Sequence, residues 1–158
     1  MKCLRTVQHL ATALFLSTLL GSSAGAQSPM PLEGHTDPVY DAVFTPDGKW
    51  VITASFDKTL RLWDSRTRQS VRTMSGHTGL VLSIAVHPDG TRIASGAMDN
   101  TIKIWDATSG QEMLTLFGHG KQVTTVSFGP RDQVIASGSY DATVRIWDAR
   151  PLDSDEKK

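Results

Sequence analysis

Histidine, serine or threonine, aspartate and tryptophan recur together three times in this chain, at a spacing of 42 residues between copies. Each histidine precedes the tryptophan of its set by 28 residues. The sets are His35, Thr53, Asp57 and Trp63; His77, Ser95, Asp99 and Trp105; and His119, Ser137, Asp141 and Trp147. The last two sets contain the residue types of a Ser-His-Asp hydrolase triad, in which histidine takes the proton of the attacking serine.

Two features of the pattern argue against such a triad. The first set has Thr53 where the other two sets have serine. Threonine supplies a structural hydroxyl as well as serine does. The pattern also occurs three times, whereas an active site is normally built once and needs an open site for the oxyanion. We therefore predict that these residues are structural and that the chain has no catalytic residue.

The recurring histidines could also be considered as metal ligands. A zinc ion needs its ligands within about 2 Å, and one histidine in each repeat keeps the three apart. The glycine-rich loops that hold dinucleotides or nucleoside triphosphates do not occur in the sequence. The sequence therefore predicts neither a metal site nor a cofactor.

Short segments rich in β-branched or aromatic residues, separated by turn residues, predict antiparallel strands. The predicted strands are Val39–Phe44, Trp50–Ser55, Thr59–Asp64, Ser70–Met74, Val81–Val86, Arg92–Ala97, Thr101–Asp106, Glu112–Leu116, Val123–Phe128, Gln133–Ser139 and Thr143–Asp148. Turns such as Pro46-Asp47-Gly48 suit short hairpins between them. The third copy has no convincing fourth strand after Asp148.

These motifs closely resemble the WD-repeat (WD40) β-propeller family. The resemblance is carried by the Gly-His pairs at 34, 76 and 118, the Pro-Asp-Gly turns, and the Thr-x-Lys/Arg-Ile/Leu-Trp-Asp endings at 59–64, 101–106 and 143–148. It implies an all-β fold of three four-stranded antiparallel blades, a partial β-propeller that oligomerisation would complete. The repeats then occupy 32–150, as blades of about 32–74, 75–116 and 117–150, between a linker at 27–31 and a polar tail at 151–158.

The resemblance also implies roles for individual residues. In the family, the recurring His, hydroxyl, Asp and Trp form a buried hydrogen-bond chain within each blade. The end of the blade with the Gly-His loop and the Asp turn most often meets partners. The residues there that differ between copies are Pro38, Tyr40, Phe56, Leu80, Leu82, Met98, Gln122, Thr124 and Tyr140. Seven of these nine are apolar or aromatic, which favours a contact surface.

Residues 1–26 have the layout of a secretory signal peptide. Lys2 and Arg5 precede an apolar run that ends at Leu20, and residues 24–26 form a small-residue cleavage site. The run is shorter than the roughly 20 residues of a membrane helix, so we expect no stable membrane span after cleavage. The only cysteine, Cys3, lies within this segment. The sequence therefore predicts a periplasmic or secreted protein.

Three hypotheses of function remain open. The preferred one is a non-catalytic scaffold that binds a protein or peptide; the others are a propeller-type enzyme or redox subunit, and an incomplete fragment of a longer propeller protein. The 16 basic and 16 acidic residues form no evident basic stripe, so nucleic acid is not expected as a partner. Two copies would bring six blades, within the usual range of about 4–8. We therefore expect a head-to-tail homodimer, with Pro29–Leu32 of one chain beside Thr143–Asp148 of the other.

Overall fold

The computed structural model describes residues 30–129 and 134–148. The predicted signal peptide at 1–26 and the predicted tail at 151–158 lie outside the described residues. Every regular element of the described residues is a β-strand, and these residues form no helix long and apolar enough to cross a membrane. The predicted all-β fold is confirmed.

Eleven strands occur in the described residues. They are β1 (Val39–Phe44), β2 (Trp50–Ser55), β3 (Thr59–Asp64), β4 (Ser70–Ser75), β5 (Val81–Val86), β6 (Arg92–Ala97), β7 (Ile102–Asp106), β8 (Glu112–Leu116), β9 (Val123–Phe128), β10 (Val134–Ser139) and β11 (Val144–Asp148). The predicted strands are confirmed, with ends that differ by at most one residue. Strand positions are well predicted because each strand is short, β-branched and bounded by turn residues.

The tight turns account for the ends of the strands. Gly48 and Gly90 have φ angles of 68° and 76°, a left-handed conformation that glycine adopts without steric cost. Between β2 and β3 the left-handed residue is instead Lys58, with a φ angle of 69°. Asp57 stabilises this turn, because its carboxylate accepts hydrogen bonds from both the backbone N–H and the hydroxyl of Thr59. The later copies repeat this turn with Asn100 and Ala142 at the left-handed position.

The strands form three separate antiparallel sheets in chain order. Sheet 1 has the order β1-β2-β3-β4 and sheet 2 the order β5-β6-β7-β8. Sheet 3 has the order β9-β10-β11 among the described residues, in agreement with the lack of a convincing fourth strand in the third copy of the sequence. The first strands of neighbouring sheets contact one another, β1 with β5 and β5 with β9, so the sheets stack face to face.

The core lies between the sheets rather than inside any one of them. One cluster of buried side chains joins sheets 1 and 2 and includes Leu60, Leu62 and Ile84. A second cluster joins sheets 2 and 3 and includes Ile104 and Val126. A four-stranded sheet alone cannot bury such a face, so each sheet depends on its neighbour for most of its hydrophobic stabilisation.

Replacing Ile104, which is buried between sheets 2 and 3, should therefore destabilise the protein strongly. We expect Ile104→Ala to lower the free energy of unfolding by about 2–5 kcal/mol, because it removes buried methyl groups and leaves a cavity. Met113→Ala is the control, since Met113 is exposed on the adjacent strand β8 and its truncation should stay within about 0.5 kcal/mol. Urea unfolding measures both; equal effects would contradict a core between the sheets.

Candidate functional site

The second of the three recurring residue sets forms a continuous hydrogen-bond chain. The indole N–H of Trp105 donates to the hydroxyl oxygen of Ser95 at 2.8 Å. That hydroxyl lies 2.7 Å from Nε2 of His77, and Nδ1 of His77 lies 2.8 Å from the carboxylate of Asp99. An ionised carboxylate only accepts hydrogen bonds. Nδ1 of His77 therefore carries a proton, and in the neutral imidazole Nε2 accepts a hydrogen bond from the Ser95 hydroxyl.

The first and third sets repeat this chain with nearly the same geometry. In the first set, Trp63 donates to Thr53 at 2.8 Å, and His35 lies 2.6 Å from both Thr53 and Asp57. In the third set, the distances are Trp147 to Ser137 2.7 Å, Ser137 to His119 2.8 Å and His119 to Asp141 2.7 Å. The structure thus brings together the four members of each set. Each hydrogen-bond chain connects the loop before a sheet with the second strand of that sheet and then with its third strand.

A fifth member of each chain escaped the sequence analysis. Thr101 donates both its hydroxyl and its backbone N–H to the second carboxylate oxygen of Asp99, at 2.7 and 3.0 Å. Thr59 and Thr143 make the same pair of bonds to the aspartates of their own sets. The signal was the Asp-x-Thr spacing at each turn between second and third strands. It indicates a turn in which the aspartate side chain caps the backbone two residues later.

These hydrogen bonds hold the pKa of each aspartate below the ordinary value. Burial by itself raises the pKa of Asp57, but the hydrogen bonds from Thr59 and His35 outweigh it and lower the pKa to about 2. Burial by itself also raises the pKa of Asp99, but the hydrogen bonds from His77 and Thr101 outweigh burial and hold this pKa well below its usual range. The folded chain therefore holds these carboxylates ionised to lower pH than the unfolded chain does.

The distances within each chain are those of a hydrolase triad, but the surroundings are not. The side chain of Ser95 is 0% exposed, and its oxygen already accepts the indole N–H of Trp105. A substrate carbonyl would have to approach that oxygen and place its own oxygen beside open donors. The burial of Ser95 leaves no path for this approach. The described residues likewise contain no group of three or more His, Cys, Asp or Glu side chains that could hold a metal ion.

The structure brings the predicted contact residues, except Leu82, to one end of the stacked sheets, here called the Gly-His end because the Gly-His loops lie there. Backbone hydrogen bonds join three pairs of these residues across the loops: Phe56 to Pro38, Met98 to Leu80 and Tyr140 to Gln122. Tyr40 stacks on Phe56, with ring centroids 5.4 Å apart. Tyr40 and Tyr140 are largely exposed. Thr124 is half-buried and donates to the carbonyl of Gly138.

Leu82 does not belong to this surface. Its side chain is 6% exposed, and it points into the molecule although Tyr40, at the same repeat position, is exposed. The sequence analysis placed Leu82 among the contact residues because it differs between copies. Sequence difference between repeats does not distinguish an exposed position from a buried one.

A cleft of about 540 Å³ lies at the Gly-His end, between the loops of sheets 2 and 3. It is lined by Met98, Gln122 and Tyr140, which the sequence analysis selected, and by Asn100, Gly120 and Lys121, which it missed. A signal existed for Lys121, because the three repeats carry aspartate, glycine and lysine at that loop position.

The sequence model of the family described as "WD domain, G-beta repeat" matches residues 27–64, 68–106 and 110–148, well over half of the chain. The chain belongs to the WD40 repeat family. The three recurring sets of hydrogen-bonded residues therefore lie in three WD40 repeats.

Curated relatives share parts of these repeats. The chain is 44% identical over 55 residues to the Notchless protein homolog of Arabidopsis thaliana, covering 35% of this chain and 12% of that one. It is 43% identical over 35 residues to Ribosome assembly protein 4 of Saccharomyces cerevisiae, covering 22% of this chain and 7% of that one. The chain thus spans only a small part of the length of these relatives.

The fold is similar to that of a solved structure described as the crystal structure of RRP9 WD40 repeats. The TM-score is 0.72 at 29% sequence identity, and the match covers 75% of this chain and 37% of that chain. The stacked sheets of this chain thus match somewhat more than a third of a larger WD40 structure.

The predicted periplasmic or secreted location is wrong. The curated relatives of the repeats include Ribosome assembly protein 4, whose name assigns it to ribosome assembly, a process inside the cell. The prediction rested on the apolar stretch within residues 1–26, which lie outside the described residues. Residue types in that stretch are a weaker indication of location than the relatives of the repeats.

Breaking one hydrogen-bond chain should destabilise the protein. Asp99→Ala removes the acceptor of His77 and leaves a buried donor unpaired, which costs about 1–3 kcal/mol. We expect the same direction for Asp57→Ala and Asp141→Ala, and little change for Asp37→Ala, because Asp37 is exposed. The midpoint of denaturant unfolding would be measured for all four variants. Unchanged midpoints for the three chain aspartates would refute the structural role.

Acid should weaken the fold through the same carboxylates. The pKa of Asp57 falls from its ordinary 3.8 to about 2 on folding, so between these pH values the unfolded chain binds a proton that the folded chain does not. The free energy of unfolding should therefore decrease as the pH falls from about 4 to about 2. Thermal unfolding across this range should show a shallower decrease for Asp57→Asn than for the exposed control Asp37→Asn. Identical slopes would contradict the hydrogen bonding of Asp57.

Proposed function

We propose that this WD40 chain is a non-catalytic scaffold that binds a protein or peptide partner at its Gly-His end. The observation that carries the proposal is the cleft between the loops of sheets 2 and 3, with the exposed ring of Tyr140 at its edge. Its volume of about 540 Å³ is within the range of about 300–1,000 Å³ that ligand sites occupy. A cleft of this size admits a few side chains of a partner.

The lining of the cleft suits an extended peptide. Met98 and Tyr140 offer apolar surface for a side chain, and methionine adapts its shape to different partners. Gln122 and Asn100 offer amide groups that can pair with a peptide backbone. Lys121 adds a positive charge beside them. Mixed apolar and polar linings of this kind are typical of protein contacts, in which aromatic anchors dominate the binding energy.

The hydrogen-bond chains support this function by holding the loops of the Gly-His end in place. His119 lies in the loop that contributes Gly120 and Lys121 to the cleft, and it is bonded to Asp141, directly after Tyr140. The backbone N–H of Gly120 also donates to Asp141, at 3.0 Å. A preformed surface loses less conformational entropy on binding than a mobile one, which favours affinity.

The relatives are consistent with a scaffold. Ribosome assembly protein 4 is named for an assembly process rather than for a reaction. The burial of Ser95 within its hydrogen-bond chain supports a structural use of the residues that resemble a triad.

Removing the aromatic side chains of the Gly-His end, Tyr140 at the cleft and the stacked pair Tyr40 and Phe56, should weaken binding without unfolding the protein. Tyr40, Phe56 and Tyr140 would be replaced together by serine, and peptides selected from a random displayed library against the wild-type chain would serve as probes. We expect the triple variant to bind these peptides at least about tenfold more weakly, since aromatic anchors often contribute 2 kcal/mol or more each. Fluorescence anisotropy gives the dissociation constants, and circular dichroism shows whether the fold persists.

Met113→Ser provides the matched control, because Met113 is an exposed apolar residue on strand β8 outside the cleft. It should keep wild-type affinity. If the triple variant bound as tightly as the wild type, and changes at the Pro46 and Pro88 turns abolished binding instead, the partner surface would lie at the opposite end.

A further inference from the structure

Sheet 3 has an apolar face that no described residue covers. Val144 and Ile146 on β11 are 75% and 67% exposed. The residues at the same two repeat positions in sheets 1 and 2 are nearly completely buried: Leu60, Leu62, Ile102 and Ile104. Because the residue types are alike and only the exposure differs, Val144 and Ile146 are in positions built to be covered by a further sheet.

The interfaces between the sheets show what covers such positions. Leu60 and Leu62 cluster with residues on the first two strands and the third-strand tryptophan of the next sheet: Val81, Ile84, Ile93 and Trp105. Sheet 3 covers sheet 2 with residues of the same repeat positions: Val123, Val126, Phe128, Ile135 and Trp147. The covering surface is thus the opposite face of the next sheet along the chain.

Sheet 1 carries the same covering surface, and no described sheet lies under it. Its members on the first two strands are Val39, Ala42, Phe44 and Val51. Val39 is 50% exposed and Phe44 66% exposed, whereas Val123, at the repeat position of Val39, is completely buried. The two outer faces of the stacked sheets are therefore the two halves of one type of interface.

The match also uses a small residue at one repeat position, which carries Ala54, Gly96 and Gly138 in the three sheets. A Cβ atom added at Gly96 would lie only 2.6 Å from Cγ1 of Val123, so glycine at this position makes room for the valine of the next sheet. Gly138 occupies the same repeat position in sheet 3. An added Cβ there meets, among described residues, only Thr125 of its own sheet, at 2.8 Å. Sheet 3 thus has the space for a valine, and Val39 is the valine at the matching position of sheet 1.

One hydrogen bond recurs at both interfaces between neighbouring sheets, and a second copy could extend it. The pairs are the backbone N–H of Ile84 to Asp41 at 2.9 Å and the backbone N–H of Val126 to the Ser83 hydroxyl at 3.2 Å. Thr125 follows Asp41 and Ser83 at this repeat position, and it is exposed. The repeat position of Val126 in sheet 1 is Ala42, whose backbone N–H donates to Asp41 of its own chain at 2.8 Å. In the contact between copies this N–H would turn to the Thr125 hydroxyl, as that of Val126 does to Ser83.

We propose that two faces bind each other between two copies of this chain. Gly138, Val144 and Ile146 form the face of sheet 3 in one copy, and the face of sheet 1 in the second copy contains Val39, Ala42, Phe44 and Val51. The contact is head to tail, so two copies close into a ring with two identical interfaces if the rotation between them allows it. The described residues of two copies bring six sheets, within the usual range of about 4–8 for closed propellers, whereas those of three copies would bring nine.

The same arrangement supplies a fourth strand to sheet 3. Leu32 stands at the repeat position of Met74 on β4 and Leu116 on β8, which lie on the fourth strands of sheets 1 and 2. The segment that precedes sheet 1 in the second copy therefore reaches the edge of β11 that no described strand pairs with. An unpaired edge is a template for such strand addition.

Light scattering on the full chain tests the proposal by comparing the wild type with variants that carry one charge on one of the two faces. Wild type should have twice the mass of a single chain at micromolar concentration. Ile146→Asp and Val39→Asp should each raise the dissociation constant by at least about a hundredfold, because each places an unpaired carboxylate in an apolar contact. Phe117→Asp is the control, since Phe117 is exposed and its repeat position carries Glu33 and Ser75; it should remain dimeric. Circular dichroism shows that each variant is folded.

Mixing the two defective variants distinguishes the head-to-tail contact from others. The Ile146→Asp chain keeps an intact Val39 face, and the Val39→Asp chain keeps an intact Ile146 face. A mixture should therefore form heterodimers through one intact interface, at concentrations where each variant alone is monomeric. A folded wild-type monomer, a Val39→Asp variant as dimeric as wild type, or masses that grow beyond two copies would each overturn the proposal.

Discussion

Each sheet of this chain buries its apolar face only against the next sheet. Leu60 and Leu62 are buried by sheet 2, and Ile102 and Ile104 by sheet 3. No sheet has a core of its own, so stability comes from interfaces between neighbours, as in other repeat proteins. The middle sheet is covered on both faces, and the outer sheets on one face each. This difference, rather than any difference in residue type, decides which side chains are exposed.

The hydrogen-bond chains of histidine, hydroxyl, tryptophan and aspartate have a different task. They lie within single sheets and fix the loops of the Gly-His end relative to the third strand. A buried polar network specifies geometry when all of its members are satisfied, because any unpaired member would be costly. The additional threonine, Thr101 in sheet 2, satisfies the second carboxylate oxygen of Asp99. The loops that form the cleft are therefore ordered without a large core beneath them.

The same chains show why catalytic geometry must be judged together with access. Ser95, His77 and Asp99 have distances that a hydrolase would use, yet the serine oxygen is buried and accepts the hydrogen bond of Trp105. In a hydrolase the corresponding oxygen faces substrate. The recurrence of the pattern in three sheets already favoured a structural role from the sequence. The burial of Ser95 supplies the physical reason.

The sequence by itself determined the repeat, the strands and four of the five members of each hydrogen-bond chain. The reason is that these features depend on local residue types and on a constant spacing of 42 residues. The tertiary structure alone decided what each face contacts. Val39 and Val123 are the same residue at the same repeat position, yet one is half exposed and the other completely buried. The lining of the cleft also depends on residues distant in the chain, because loops of sheets 2 and 3 form it. Exposure is set by the sheet that lies alongside, and local sequence does not record it.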